Sequence, residues 1–223
     1  MSAGLVLVYV FVISVLSGAL VFLWLKQQQI AQREAFQSLA ARRGWALTVT
    51  EQKLGKPAIL RLTSRSGTGW HAETRLDAGD QNGQARILAT EFYAAYPQWP
   101  DGSLVLTLAT QDEGDRGSQD LSEPDLVKRV SQFIPDGIVA QLQSFVAPSG
   151  LTVRATVDPL FRFDLPEIAK TTTSWQPQRR GTDGQPVILI GAEGFRVRLG
   201  HGMRRADEME KFIDFALEII RVM

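Results

Sequence analysis

The chain has 223 residues, 44% of them hydrophobic and 22% charged, with 24 Lys and Arg set against 24 Asp and Glu. That composition suits one ordinary domain with a buried core; it excludes a disordered chain and offers no basic surface for nucleic acid. Cysteine is absent and histidine occurs only as His71 and His201, so disulfides, thiol nucleophiles, Cys-ligated zinc, iron–sulfur clusters and multi-imidazole centres are excluded as well, and no cofactor is expected.

No charged residue occurs between Ala3 and Leu25, and about 20 apolar residues suffice to cross ~30 Å of hydrocarbon. A transmembrane helix within residues 1–25 is therefore expected. Trp24 and Lys26 mark its exit, an amphipathic ring at headgroup level followed by a charge. A cleaved signal peptide competes with this reading, since Ser17-Gly18-Ala19 offers small residues. The lack of Lys or Arg in the leading MSAG, and the apolar Val21 to Leu25 beyond that point, favour the anchor. Lys26, Arg33, Arg42 and Arg43 crowd the far end, and by the positive-inside rule the following domain then lies in the cytoplasm, at an inner (plasma) membrane of bacterial type. Inside the span, Ser14 and Gly18 form a small-xxx-small pair that suits close helix packing, although Ser and Gly are also ordinary in spans.

Residues 26–44 keep a helical composition, with Phe36, Leu39 and Ala40 at i, i+3 and i+4. Gly44 after Arg42 and Arg43 reads as the C′ residue of a juxtamembrane stalk. Its apolar stripe either packs on the sheet that follows or pairs with a partner subunit.

The soluble part, residues 45–223, opens with strand patterns. Trp45, Leu47 and Val49 alternate with Ala46, Thr48 and Thr50, and Leu60 and Leu62 alternate with Arg61 and Thr63. Trp70, Ala72, Thr74 and Leu76 face away from His71, Glu73, Arg75 and Asp77, and further strands are read at 85–92 and at Leu104 to Leu108. Turns rich in Gly, Asn and Asp with no helix between them indicate an antiparallel meander. Ser122 and Asp125 suggest a capping box for a helix holding Leu126, Val127, Val130 and Phe133; residues 138–146 read as a second helix; Leu151, Val153, Ala155 and Val157 mark another strand. Asp164 is placed to cap a short helix through Ile168 and Ala169. Val187 to Ile190 and Phe195 to Leu199 read as a hairpin, and Met209, Phe212, Ile213, Ala216, Leu217 and Ile220 define a final amphipathic helix. The fold class is α+β: an N-terminal transmembrane helix, then a mostly antiparallel sheet with helices packed on one face.

Candidate chemistry is sparse. His71 shares a strand face with Glu73, Arg75 and Asp77, a set that suits a general base or simply a solvated face. Gly200-His201-Gly202 precedes Arg204, Arg205 and the last helix, so His201, Arg204 and Arg205 are candidates for holding a small anion; the Lys-Ser/Thr of a phosphate loop is missing. Asp112, Glu113, Asp115, Asp120, Glu123 and Asp125 lack the spacing of a calcium loop, and no metal site is expected. Phe92, Tyr93, Tyr96 and Trp99 cluster with two prolines, which suits either a partner-binding surface or a loop folded onto its own core.

These features lead to an expectation of a non-enzymatic, single-pass membrane protein that serves as an accessory, assembly or scaffold element. Its expected partners are the membrane, another membrane protein or complex, and a second copy of itself. A membrane-tethered domain that binds or hydrolyses a small anionic ligand near His201 is the alternative.

Overall fold

The computed structural model describes residues 3–50, 58–65, 69–76, 89–108, 136–175 and 184–223. The acidic stretch, the helix expected after Ser122, and residues 85–88 lie outside these. Helix α1 spans Ala3–Arg43, about 60 Å at ~1.5 Å per residue. It ends where the sequence suggests: Gly44 takes φ 66°, a left-handed conformation that suits glycine. Among the described residues no helix is long and apolar enough to cross a membrane. Within the uncharged run, the described side chains are those of residues 12–24.

Among the described residues nine strands follow in one sheet: β1 Trp45–Thr50, β2 Ala58–Ser64, β3 Trp70–Leu76, β4 Thr90–Ala94, β5 Leu104–Leu108, β6 Gln143–Phe145, β7 Leu151–Ala155, β8 Val187–Gly191 and β9 Gly194–Leu199. Helices α2 (Asp136–Val139), α3 (Leu165–Thr173) and α4 (Ala206–Val222) are the remaining elements among the described residues. Strand order is β1-β2-β3-β4-β9-β8-β5-β7-β6, and every pairing is antiparallel. The meander therefore stops at β4. The β8–β9 hairpin, distant in sequence, inserts between β4 and β5, with Thr90 opposite Leu199 and Leu104 opposite Ile190. Gly194, at φ 118°, makes this insertion possible, because a Cβ there would lie 2.3 Å from the Ala94 carbonyl oxygen.

One face of the sheet carries the core. Leu62, Ala72, Phe92, Val197, Ile188, Leu106 and Val153 bury against Phe36, Leu39 and Ala40 of α1, Ile168 of α3, and Met209, Phe212, Ile213 and Ala216 of α4. Trp45, Trp70, Phe92 and Phe195 chain together across that face, with centroids 5.2, 5.5 and 6.1 Å apart. The capping expected of Asp164 is present, its Oδ1 accepting from the Glu167 N–H at 3.2 Å.

Two expectations are corrected. Residues 138–146 do not form a helix: α2 ends at Val139, and Gln143–Phe145 pairs as edge strand β6 with β7. The apolar spacing there serves an edge strand, in which Phe145 packs toward the core. Nor are all helices on one face, since Val139 and Leu142 cover a second small cluster of Val105, Val187 and Leu189 on the opposite side. This is why β5 and β8, buried on both faces, are almost continuously apolar.

Candidate functional site

The turn Gly200-His201-Gly202 is an internal latch. The Thr90 hydroxyl donates to the His201 carbonyl at 2.9 Å, and the Thr74 hydroxyl donates to the Met203 carbonyl at 3.2 Å. Both hydroxyl oxygens accept from the Met203 N–H, at 2.8 and 3.0 Å. Thr74 and Thr90 are fully buried, so these bonds satisfy groups that would otherwise be costly to bury. Gly202 is glycine for a packing reason: a Cβ would sit 2.5 Å from the Arg75 carbonyl oxygen. His201 is itself buried and contributes its backbone to the latch.

The chain then emerges. Arg204 and Arg205 are exposed and border a cleft of about 440 Å³ between α1 and the start of α4, together with Gln32, Ala35, Ser38, Leu39, Arg42, Ala206 and Asp207. His201 does not line it. Arg205 forks onto Asp207 at 2.8 and 3.0 Å; this hydrogen bond, with the nearby Asp207 and Glu208 charges, holds its guanidinium above the usual value, and the same bond from Arg205 holds the Asp207 carboxyl below its own. Arg42 bonds Glu210 at 2.6 Å, and Arg43 reaches Glu210 at 3.2 Å and also pairs with Asp214. Gln32 and Arg42 are the members sequence reading misses. Their i, i+3, i+7, i+10 spacing with Ala35 and Leu39 is visible, but which helix face meets α4 is a tertiary fact.

The four clustered aromatics separate. Phe92 and Trp99 belong to the core at 0% and 4% exposure, and the Trp99 ring contacts Phe163 edge-on at 5.3 Å. Tyr93 points to the opposite face, where its ring lies 5.1 Å from His71 and beneath the Arg196 guanidinium at 5.5 Å. Tyr96 alone of the four is open to solvent, at 73%. The neighbouring loop presents Leu160 and Phe161, the latter 95% exposed. Arg162, donating to the Gln98 carbonyl at 2.9 Å, ties the two loops together.

Around His71 the polar face is an ion ladder. Arg61 stands opposite Glu73, Glu73 opposite Glu91, and Glu91 opposite Arg198. The two like charges are separated in effect by guanidiniums: Glu73 accepts from Arg61 at 2.8 Å and from Arg75 at 3.1 Å. Burial pushes the Glu73 carboxyl up, but the bonds from Arg61 and Arg75 outweigh it and hold the group below its ordinary value. Burial, aided by Arg61, lowers His71 and keeps the imidazole neutral at neutral pH. Both Glu73 oxygens are taken by guanidiniums, so the carboxylate that would orient His71 as a base is committed elsewhere. This face is built as a salt-bridged sheet surface.

Ser14 and Gly18 lie on an exposed stretch of α1, where a Cβ on Gly18 would meet nothing within 4 Å. Among the described residues no group of three acidic or histidine side chains is arranged to hold a metal ion. No protein-family model matches the chain, and neither does any curated protein or solved structure.

Proposed function

We propose that the chain is a single-pass membrane protein whose α1 anchors a non-enzymatic α+β domain at the cytoplasmic face, as an accessory, assembly or scaffold element of a membrane complex. The observation that carries this reading is the contrast along one helix. Val12, Ile13, Val15, Leu16, Leu20, Val21, Phe22, Leu23 and Trp24 are all exposed, on every side of α1, while Phe36, Leu39 and Ala40 are buried in the domain. Apolar surface left in water costs about 25 cal/mol per Å². A bilayer removes that cost, and the absence of charge from Ala3 to Leu25 is what hydrocarbon requires. Lys26, Arg33, Arg42 and Arg43 beyond the run favour a cytoplasmic domain. Contact with a partner is best served by Tyr96 with Leu160 and Phe161, large apolar groups on loops tied by Arg162.

A cysteine-free chain makes the test direct. The protein should stay in membranes after alkaline carbonate washing, and Asp101→Cys should react with a membrane-impermeant maleimide only after cell lysis. Release by carbonate would remove the span, and labelling in intact cells would reverse the topology. Mild-detergent purification should then recover a membrane protein at fixed stoichiometry, and Tyr96→Ala with Phe161→Ala should weaken its retention without lowering the melting temperature.

A second reading, a small-anion site, is favoured by the cleft beside Arg204 and Arg205.

A further inference from the structure

Beyond α1, five large apolar side chains are exposed among the described residues, and four of them, Tyr96, Val157, Leu160 and Phe161, stand on two loops, 95–103 and 156–163. Val146 is the fifth. The two loops are fastened to each other. Arg162 donates to the Gln98 carbonyl at 2.9 Å, the Thr156 N–H donates to the Ser103 carbonyl at 3.0 Å, and the Ser103 N–H donates to the Thr156 hydroxyl oxygen at 2.9 Å. The Trp99 N–H adds a bond to the Gly191 carbonyl at 2.9 Å, and the Trp99 ring meets Phe163 edge-on in the core. Apolar groups carried on backbone held this firmly lose little further freedom on docking. Single exposed apolar residues are ordinary, whereas a cluster of them marks a contact surface.

Charge narrows what that surface meets. Beside the loops, and sharing Ser103 and Thr156 with them, lies a cleft of about 500 Å³ whose charged lining residues are Asp101, Glu193 and Arg196. Glu193 and Arg196 pair with each other, and Asp101, exposed on the same loop as Tyr96, has no ion pair among the described residues. On the loops themselves Asp101 and Asp158 outnumber Arg162, whose guanidinium is turned to the Gln98 carbonyl. An anionic bilayer surface attracts Lys and Arg and repels carboxylates, so this patch is charged the wrong way for lipid. A two-fold contact between copies would set Asp101 and Asp158 against the same charges. A protein surface that brings its own cation satisfies both the apolar groups and the carboxylate, and aromatic and arginine side chains are the usual anchors of such contacts. On the reading of the chain as part of a complex, on which this step rests, we propose that Tyr96, Val157, Leu160 and Phe161 dock a partner protein through a segment that carries bulky apolar side chains and an adjacent Lys or Arg, the cation entering the cleft to reach Asp101.

The test places the photo-crosslinker p-benzoylphenylalanine at position 161 of the full chain, irradiates native membranes, and sequences the crosslinked peptide by mass spectrometry. A single protein adduct is expected, its peptide holding bulky apolar residues with a Lys or Arg close by. Asp101→Lys should cut the yield about tenfold, since a close attraction becomes a repulsion, and changing the partner's cation to Glu should restore it. Tyr96→Ser should lower the yield as well. Both residues are exposed, so neither variant should move the melting midpoint in micelles. An adduct of two copies of this chain, an adduct with lipid alone, or no adduct at all overturns the inference. So does a protein adduct whose peptide lacks a cation or whose yield is indifferent to Asp101→Lys. A partner that mild detergent recovers but the crosslinker leaves unlabelled would keep the complex and remove this site. A labelled partner on a chain that carbonate strips from membranes would keep the site and remove the span.

Discussion

Residues 12–24 of α1 and its residues Phe36, Leu39 and Ala40 share a helix, a backbone geometry and an apolar character, yet the first are exposed and the second buried. The difference lies in distribution. Around Phe36, apolar positions recur at i, i+3 and i+4 between Arg33, Glu34 and Gln37, so one face can meet the sheet while the other meets water. Between Val12 and Trp24 no polar face exists, and among the described residues no element of the domain covers the stretch. Stability in the two stretches must therefore come from different surroundings, protein in one and, by our proposal, lipid in the other. Phe36→Ala tests the first most severely. Phe36 is 0% exposed in the main core, and the cavity and lost burial should cost about 3–5 kcal/mol. Chemical denaturation of the full chain in micelles should show that loss while membrane retention is unchanged. A loss below about 0.5 kcal/mol, the range of surface substitutions, would mean that α1 is not docked as described.

The complementary change is Leu16→Arg. A charge at the centre of a span costs about 2.5–3.5 kcal/mol on insertion, so the variant should shift toward carbonate-soluble material while the domain's denaturation midpoint stays put. If it remains wholly in the membrane fraction, residues 12–24 are not in hydrocarbon. Together these two variants should separate completely, each moving one readout and sparing the other.

How much of this contrast can be read in the chain itself follows the range of the forces involved. The periodicity of Phe36, Leu39 and Ala40, the glycine stop at Gly44, the β8–β9 hairpin, the Asp164 cap and the stripe of α4 are local patterns, and all are legible. The insertion of β8–β9 between β4 and β5 is not, because Thr90 and Leu199 are brought together by core packing rather than by any neighbour in sequence. Nor is β6, too short for alternation to distinguish it from a helix turn. For the site, Arg204 and Arg205 can be picked out beside the helix start, but His201 is misleading: glycines on either side suggest an open ligand loop, whereas Gly202 is required by the Arg75 carbonyl and the turn is latched by Thr74 and Thr90. The aromatic cluster misleads likewise, since four adjacent rings point in three directions.

A smaller effect belongs to the junction between α1 and α4. Arg43 pairs with Glu210 and Asp214 and lies over the Trp45 ring at 5.1 Å. These contacts are exposed or half-exposed, so Arg43→Ala should cost no more than about 1 kcal/mol, less at high salt. Asp214 offers a site-specific readout. Its burial raises the carboxyl above 3.8, with Arg43 pulling down and Glu210 pushing up, so removing Arg43 should raise it further. The sign follows from linkage: a raised folded value favours the fold below the unfolded value, and that contribution is lost as pH rises through the folded one. Carboxyl chemical shifts of Asp214 that titrate identically in both proteins would show that the pair does not form in solution.

The smallest expected change returns to the exposed half of α1. Gly18 has open space around its Cα, so a side chain there meets nothing in the chain itself, and Gly18→Ile should leave the domain's denaturation midpoint within about 0.5 kcal/mol. Any consequence must then come from outside the protomer. Close helix approach through Ser14 and Gly18 depends on small side chains, and an isoleucine would separate the backbones. Chemical crosslinking in micelles converts this into a decision. A dimer yield that falls in Gly18→Ile but persists in Leu20→Ile assigns the Ser14–Gly18 face to a second copy, while equal yields leave lipid as the neighbour of that face and of the rest of the apolar half.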